Sequence, residues 1–207
     1  MLCSGPRPDY LQVGDGDPLG EYSLIIIDQP DPERTPRCIP TAASCSVSPV
    51  PILRLVFTDQ SGVTFNNSAH PAFAAPHRFV VHAELFPEAV EPLAGNLNGE
   101  AGLPPPALFG QTVSESIYAR DTEGRPGVFF VFNNLNVRGE GPFRLRFHLV
   151  DLKLHNAFPI PVRGSSVTSS VFQSPNRREF SDMSQLARCL IDQGVIKIVR
   201  RPYQDDD

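Results

Sequence analysis

The stretch GVFFVFNNLNVRGEGPFRLRFHLVDLKL, residues Gly127 to Leu154, contains two contrasting strand patterns. Its first part, Val128 to Phe132, is apolar at every position, which is typical of a central strand covered on both faces. From Phe143 onward, apolar and polar residues alternate with the period of two that a half-buried strand shows. We therefore expect the second strand to have one face in the core and one basic face, which carries Arg144 and Arg146.

The segment that joins these two strands, Asn136 to Pro142, is rich in turn residues. Its glycines can adopt positive φ angles, and its proline cannot donate a hydrogen bond to a strand ladder. The sequence therefore predicts a loop here, with Arg138 exposed to solvent.

The composition of the whole chain favours many short strands. The 207 residues fit one domain, and the 22 prolines and 15 glycines suit strands joined by turns better than they suit long helices. β-Branched and alternating patterns predict further strands at Tyr22–Asp28, Ile52–Thr58, Arg78–Phe86, within Leu108–Tyr118, at Val167–Phe172 and at Val195–Val199.

One helix is predicted near the end of the chain, from Asp182 to Gln193. Its apolar residues recur three and four positions apart, Ser181 is a suitable N-cap, and Gly194 can end the helix in a left-handed conformation. Seven or eight strands with one late helix do not alternate with helices as a parallel sheet requires. The order of elements instead predicts a mainly β fold, an immunoglobulin-like antiparallel β-sandwich with one C-terminal helix.

The formal net charge of −5 conceals a basic segment in the last third of the chain. Residues 1–137 carry a net charge of −8, residues 138–201 carry +6, and Asp205 to Asp207 carry −3. Of the 18 basic residues 16 are arginines, whose planar guanidinium suits phosphate, carboxylate and base edges. This pattern is compatible with a polyanionic partner, and equally with a genome that favours arginine codons.

The cysteines and the apolar runs indicate a soluble protein inside a cell. The four cysteines, at positions 3, 38, 45 and 189, show no CxxC spacing, and no apolar signal segment precedes them. We therefore expect reduced thiols. No run approaches the roughly 20 apolar residues that span a bilayer, so we expect no membrane partner.

No pattern in the sequence indicates an enzyme. His70, His77 and His82 are spaced by seven and five positions, which matches no zinc motif. A nucleophile elbow and a phosphate-binding glycine loop are both absent from the sequence. We predict no catalytic residue, no metal, no cofactor and no small-molecule substrate.

Arginines are the strongest candidates for a binding site. Arg138, Arg177 and Arg178 lie in predicted loops that could converge at one end of a sandwich. Loop arginines at the end of an immunoglobulin-like sandwich are one way to contact phosphates and base edges. Arg144 and Arg146 are different, because the ordinary interpretation of two strand arginines is a solvated sheet face.

Four segments resemble the fungal velvet family of nuclear regulators. They are Phe79–Phe86, Gly127–Phe132 together with Asn136–Gly141, Phe143–Phe147, and Leu186–Leu190 with Gln193–Val195. Their order and spacing are also similar to those of velvet proteins, and the match runs from about Tyr22 to Arg201.

The resemblance carries expectations that the residues alone do not. It implies a sandwich similar to the Rel homology domain, sequence-specific DNA binding, and homo- or heterodimers with other velvet-family proteins. It also implies control of spore development and secondary metabolism, and no enzymatic activity. We expect a nuclear protein that shuttles from the cytoplasm.

The connection after the first strand differs from the velvet pattern. Asp28-Gln-Pro30 and Glu33-Arg34 match, but Thr41 to Ser48 stands where the family has a basic cluster. Only Arg34 and Arg37 remain as basic residues in this connection. Because phosphate contacts supply much of the affinity for DNA, this change predicts weaker DNA binding.

The sequence thus predicts a velvet domain at residues 21–201, preceded by a flexible arm at 1–20, interrupted by a flexible insertion at 87–107, and followed by an acidic tail at 202–207. The first hypothesis is a nuclear transcription regulator that binds DNA as a dimer, with Arg34, Arg37, Arg138, Arg177 and Arg178 as its DNA contacts. The alternative hypothesis is a dimerisation subunit that does not bind DNA and regulates other velvet proteins.

Overall fold

The described residues form two five-stranded sheets and one three-stranded sheet, all antiparallel. The structure is a computed structural model, and it describes residues 20–30, 45–88, 107–139, 141–152, 160–174 and 183–197. The predicted mainly β fold, an antiparallel sandwich with one late helix, is confirmed.

The strands are numbered in chain order. They are β1 (Gly20–Asp28), β2 (Cys45–Ser46), β3 (Ile52–Asp59), β4 (Thr64–Phe65), β5 (Phe79–Pro87), β6 (Ala107–Gly110), β7 (Val113–Glu115), β8 (Ile117–Arg120), β9 (Pro126–Val131), β10 (Leu135–Arg138), β11 (Gly141–Asp151), β12 (Ile160–Thr168) and β13 (Phe172–Ser174). Two short 3-10 helices, Pro71–Phe73 and Pro76–Arg78, precede β5, and the α-helix, α1, spans Gln185–Asp192.

The two large sheets face each other across the main core. The first sheet has the order β1-β3-β9-β8 with β4 beside β3, and the second has the order β12-β11-β5-β7 with β13 beside β11. Both contribute fully buried side chains to one cluster, and the rings of Phe132 and Phe147 lie 5.1 Å apart across it. Aromatic side chains dominate such a core because each removes a large apolar area from water.

Strand β9 is buried on both faces, as its sequence predicts. Val128 and Phe130 point into the core between the sheets, whereas Phe129 and Val131 point outward against α1. The helix packs Leu186, Ala187 and Leu190 onto that outer face, together with Ile52 of β3. A strand that is apolar at every position therefore needs a cover on each side, and α1 supplies the second cover.

Strand β11 alternates as predicted between buried and half-buried residues. Phe143, Leu145, Phe147 and Leu149 are buried in the core, while the basic residues between them face outward.

The predicted helix and the predicted last strand are corrected by the structure. The helix begins at Gln185, and its N-cap is Ser184, whose Oγ accepts a hydrogen bond from the Ala187 amide at 3.0 Å; the predicted cap, Ser181, lies outside the described residues. Gly194 adopts the expected positive φ, 72°. Residues 195–197 form no strand, because Ile196 packs against α1 without a ladder partner among the described residues; residues 198–199 lie outside them.

The predicted strand Val167–Phe172 is two strands, and Leu108–Tyr118 contains parts of three. The first break has a clear cause. Ser169 is buried, its amide donates to the Leu145 carbonyl at 2.8 Å, and its Oγ accepts from the Leu145 amide at 2.9 Å. The chain is thereby fixed to β11 between the two strands, β12 and β13, that pair with it.

The predicted arm at 1–20 and the tail at 202–207 lie outside the described residues, except for Gly20, which begins β1. The predicted insertion at 87–107 is described only at its ends, where Pro87 closes β5 and Ala107 opens β6. The domain boundaries therefore stay predictions. Within the described ranges, no helix has the length and apolar character needed to cross a membrane.

Candidate nucleic-acid interface

One end of the sandwich is capped by the three-stranded sheet β2-β10-β6, which we call the end sheet. It lies where β3 begins and β9 ends, because the Phe132 amide donates to the Pro51 carbonyl at 3.0 Å and the Val47 amide donates to the Leu135 carbonyl at 2.8 Å. We call this end the loop end.

The described ends of the arginine-bearing segments come together here. Cys45, which follows the segment with Arg34 and Arg37, pairs with Val137. On the other side of Arg138, Gly141 pairs with Ser174, which precedes the segment with Arg177 and Arg178. Those four arginines lie outside the described residues. Arg138 is the one predicted contact residue that the structure describes.

Arg138 occupies the last position of β10 and is not in the exposed loop that the sequence predicts. It is half-buried, and its Nε atom has no hydrogen-bond partner within the described part of the chain. The prediction of a loop at Arg138 is wrong for a physical reason. The run from Leu135 to Arg138 alternates buried and half-buried residues, but it has only four residues, and its partner strands are distant in sequence.

The outer face of the end sheet carries polar and aromatic side chains that the sequence analysis missed. Asn136 pairs with Ser46 on one side and with Phe109 on the other, so the three residues form one row across the three strands. Ser46 Oγ donates to Asn136 Oδ1 at 2.9 Å, and Asn136 Nδ2 donates to Asn134 Oδ1 at 3.2 Å. The Phe109 ring is 37% exposed. Arg138 and Ala107 form the next row of the same face.

The β11 arginine nearer the loop end, Arg144, has its partners within the chain. Arg144 Nε and Nη2 donate to the two carboxylate oxygens of Glu88, and Nη1 donates to the Ser169 carbonyl at 3.3 Å. The hydrogen bond from Arg144, together with its charge, lowers the pKa of Glu88, and the same bond raises the pKa of Arg144. This guanidinium therefore already has a carboxylate in the position that a phosphate would take.

The other basic residues on the outer face of β11, Arg146 and His148, also have partners within the chain. The guanidinium of Arg146 lies 3.9 Å from the centre of the Phe86 ring, a cation–π contact, and Glu84 is its cross-strand partner. His148 Nε2 lies 3.2 Å from Glu84 Oε2. The face that the sequence predicts as basic thus has acidic and aromatic neighbours on β5, which supports the interpretation as a solvated sheet face.

The histidines that the sequence analysis considered for metal binding have other surroundings. The His70 ring stacks on Phe65 at 4.1 Å, and His82 pairs across the strands with His148. Within the described ranges, no three His, Cys, Asp or Glu side chains are grouped so that they could hold a metal ion.

Comparison with known proteins assigns the chain to a family. The family model described as velvet factor matches residues 90–204, which is more than half of the chain. The spore development regulator VOSA of Pyricularia oryzae is 26% identical over 89% of this chain, and the developmental and secondary metabolism regulator VEL1 of Cochliobolus heterostrophus is 30% identical over 87%. Velvet complex subunit 2 of Gibberella moniliformis is 44% identical over 22% of the chain.

The matches cover only part of these relatives, 34% of VOSA, 32% of VEL1 and 10% of velvet complex subunit 2. The relatives are regulators of development and secondary metabolism, and the family that matches is not a catalytic one. The sandwich, its late helix and the family match agree with one another. This chain belongs to the velvet family.

Proposed function

We propose that this chain is a nuclear regulator of transcription that binds DNA as a homo- or heterodimer of velvet proteins and controls spore development and secondary metabolism. Its family membership and the regulatory functions of VOSA and VEL1 support this role. The observation that carries the DNA-binding part is the arrangement of the loop end. There, Arg138 directly follows Val137, which pairs with Cys45, and stands three positions before Gly141, which pairs with Ser174. The other arginine-bearing segments extend from Cys45 and Ser174.

The charge distribution also favours DNA binding at the loop end. Residues 138–201 carry a net charge of +6 in a chain that is acidic overall. Arginine contacts to phosphates position a protein on DNA without reading the sequence, and each released counterion makes binding weaker at higher salt. Because Arg144 and Arg146 have partners within the chain, the proposed phosphate contacts are Arg34, Arg37, Arg138, Arg177 and Arg178.

The test is DNA binding by the purified chain, alone and mixed with a second velvet protein, at several salt concentrations. The variant Arg34→Ala plus Arg37→Ala is expected to bind more weakly, and its plot of log affinity against log salt should be less steep by about two. A native protein whose affinity for DNA does not fall as salt rises would contradict the proposal.

A matched control removes the same charge elsewhere. Arg120 ends β8, at the opposite end of the sandwich, and Arg188 is exposed on α1. The variant Arg120→Ala plus Arg188→Ala should keep the native salt dependence. If it loses as much slope as the loop variant, the effect comes from net charge and not from contacts at the loop end.

A second candidate function is a dimerisation subunit that leaves DNA contact to its partner. Two observations favour this candidate. The β11 arginines, Arg144 and Arg146, already contact Glu88 and Phe86, and Thr41 to Ser48 replaces the family's basic cluster. The name of velvet complex subunit 2 shows that a relative is part of a complex. This candidate is preferred if only the mixture binds DNA and Arg34→Ala plus Arg37→Ala has no effect on it.

A further inference from the structure

The outer face of the end sheet has the chemistry to read a base pair, and this inference rests on the proposed DNA binding. We propose that Asn136 and Phe109 recognise one A·T pair in the major groove. In this arrangement the Asn136 amide bonds the adenine edge and the Phe109 ring packs against the methyl group of the thymine. No phosphate contact is needed for this part of the recognition.

Position on the sheet brings the two side chains together. Asn136 of β10 and Phe109 of β6 are directly opposite each other in the register, so their Cβ atoms are about 5 Å apart on the same face. An A·T pair displays the adenine N7 and N6 groups and the thymine methyl in the same groove. The major groove admits a two-stranded β-ribbon. β10 and β6 are the two longer strands of the end sheet, and the third strand, β2, has only two residues.

The amide of Asn136 is already oriented. Its Oδ1 accepts from Ser46 and its Nδ2 donates to Asn134, which leaves a second lone pair on Oδ1 and a second N–H on Nδ2. One acceptor and one donor on a carboxamide are the pair that matches adenine N6 and N7. Hydrogen bonds on both sides of the amide also reduce the entropy that binding would otherwise cost.

The backbone beside Phe109 is built to keep this amide close. Gly110 has a φ of 91°, and a Cβ there would lie 3.1 Å from Asn136 Nδ2 and 2.0 Å from the Asn134 carbonyl oxygen. Only glycine permits this approach between β6 and the turn before β10.

Phe109 itself is an exposed aromatic residue among polar neighbours. Its ring is 37% exposed, whereas Leu108, the residue before it, packs against the main core. An apolar contact with the thymine methyl would cover this ring.

The first step of the test selects duplexes with the full chain from a library with a random core, using whichever form, alone or with a second velvet protein, binds DNA. The best duplex is then remade with each thymine in turn replaced by uracil, which lacks the methyl, and each adenine by 7-deazaadenine, which lacks N7. At one position of each kind the native protein should lose about tenfold in affinity.

The protein variants make the assignment specific. Phe109→Ala should bind the thymine and uracil duplexes equally, and Asn136→Ala should bind the adenine and 7-deazaadenine duplexes equally. Leu152→Ala is the control, because Leu152 is an apolar residue, 39% exposed, that directly follows the last residue of β11, and this variant should discriminate like the native protein.

The outcomes separate the two proposals. If the native protein binds duplexes with a normal salt dependence but ignores both base analogues, the base-reading face is wrong and DNA binding stands. If no duplex is bound in either form, both proposals fail. If Phe109→Ala abolishes a dimer seen by sedimentation and does not alter thymine discrimination, the face is a protein interface and the inference is overturned.

Discussion

Arg54 Nη1 lies 3.1 Å from Asp121 Oδ2, and both side chains are more than nine-tenths buried. Arg54 is in the middle of β3, and it also donates to the carbonyls of Asn66 and Pro126 and lies 5.2 Å from the Phe129 ring centre. The ion pair therefore joins β3 to the turn between β8 and β9.

Removing this arginine should be strongly destabilising. Arg54→Met nearly keeps the volume but leaves Asp121 with the exposed Arg125 as its one charged partner among the described residues. Breaking a buried pair from one side costs about 3–5 kcal/mol. Urea unfolding measures the loss. Arg188→Met, a change of the same kind at an exposed helix position, should stay within about 0.5 kcal/mol of the native protein. Equal stabilities for the two variants would show that the Arg54 pair contributes nothing.

Acid should weaken the fold through the same carboxylate. Burial alone would raise the pKa of Asp121, but hydrogen bonds from Arg125, Arg54 and backbone amides lower it to about 2. Because this is below the value of about 3.9 in an unfolded chain, the stabilisation is complete above that value and is lost as pH falls towards 2.

Unfolding free energies measured from pH 5 to pH 2 test this linkage. Asp121→Asn should reduce the decline with acid but not abolish it, because the pKa values of Asp59 and Glu88 are also lowered in the folded protein. A variant that declines as steeply as the native protein would assign acid sensitivity to other groups.

Gly110→Ala should destabilise the end sheet. The residue has a φ of 91°, and the new Cβ would meet the Asn134 carbonyl oxygen at 2.0 Å, so backbone strain and a steric clash add together. Gly124→Ala is a matched control, since its φ is 76° but nothing lies within 4 Å of the added Cβ. The control should cost about 1–2 kcal/mol by thermal or urea unfolding, and Gly110→Ala should cost clearly more. The reverse order would contradict the described approach of β6 to β10.

Glu88 should limit the part that Arg144 plays in DNA binding. Glu88→Gln frees the guanidinium from its carboxylate partner, so the salt slope of DNA binding should become steeper by about one. Replacing both residues, Glu88→Gln with Arg144→Gln, should restore the native slope. An unchanged slope in Glu88→Gln would show that Arg144 does not reach a phosphate even when it is free.

Local pattern was sufficient for the long elements. In β9 and β11, each residue's polarity matches its own burial, so the uniform apolar run and the alternation could both be read from the sequence. The end sheet could not be predicted from the sequence. Strand β10 has four residues and β2 has two, and their pairing is decided by partners on distant segments such as Cys45 and Ala107.

The candidate site, too, could be predicted from the sequence only in part. The arginine content could be recognised from the sequence, but the strand position of Arg138 and the partners of Arg144 and Arg146 could not. Glu88 and Phe86 lie on β5 or just after it and reach these arginines only through the sheet register. The buried Arg54 was hidden for a similar reason. A single charge within the apolar run of β3 gives no sign of the carboxylate that it meets.

The cover that α1 places over Ile52, Phe129 and Val131 also has a consequence for the order of synthesis. Strands β3 and β9 leave the ribosome well before the helix. An emerging chain therefore exposes an apolar surface until Leu186 and Leu190 are synthesised and can cover it. Folding during translation therefore cannot finish strand by strand. A truncation before Gln185 leaves this apolar surface uncovered, so the truncated chain should be recovered from cells mainly as aggregate.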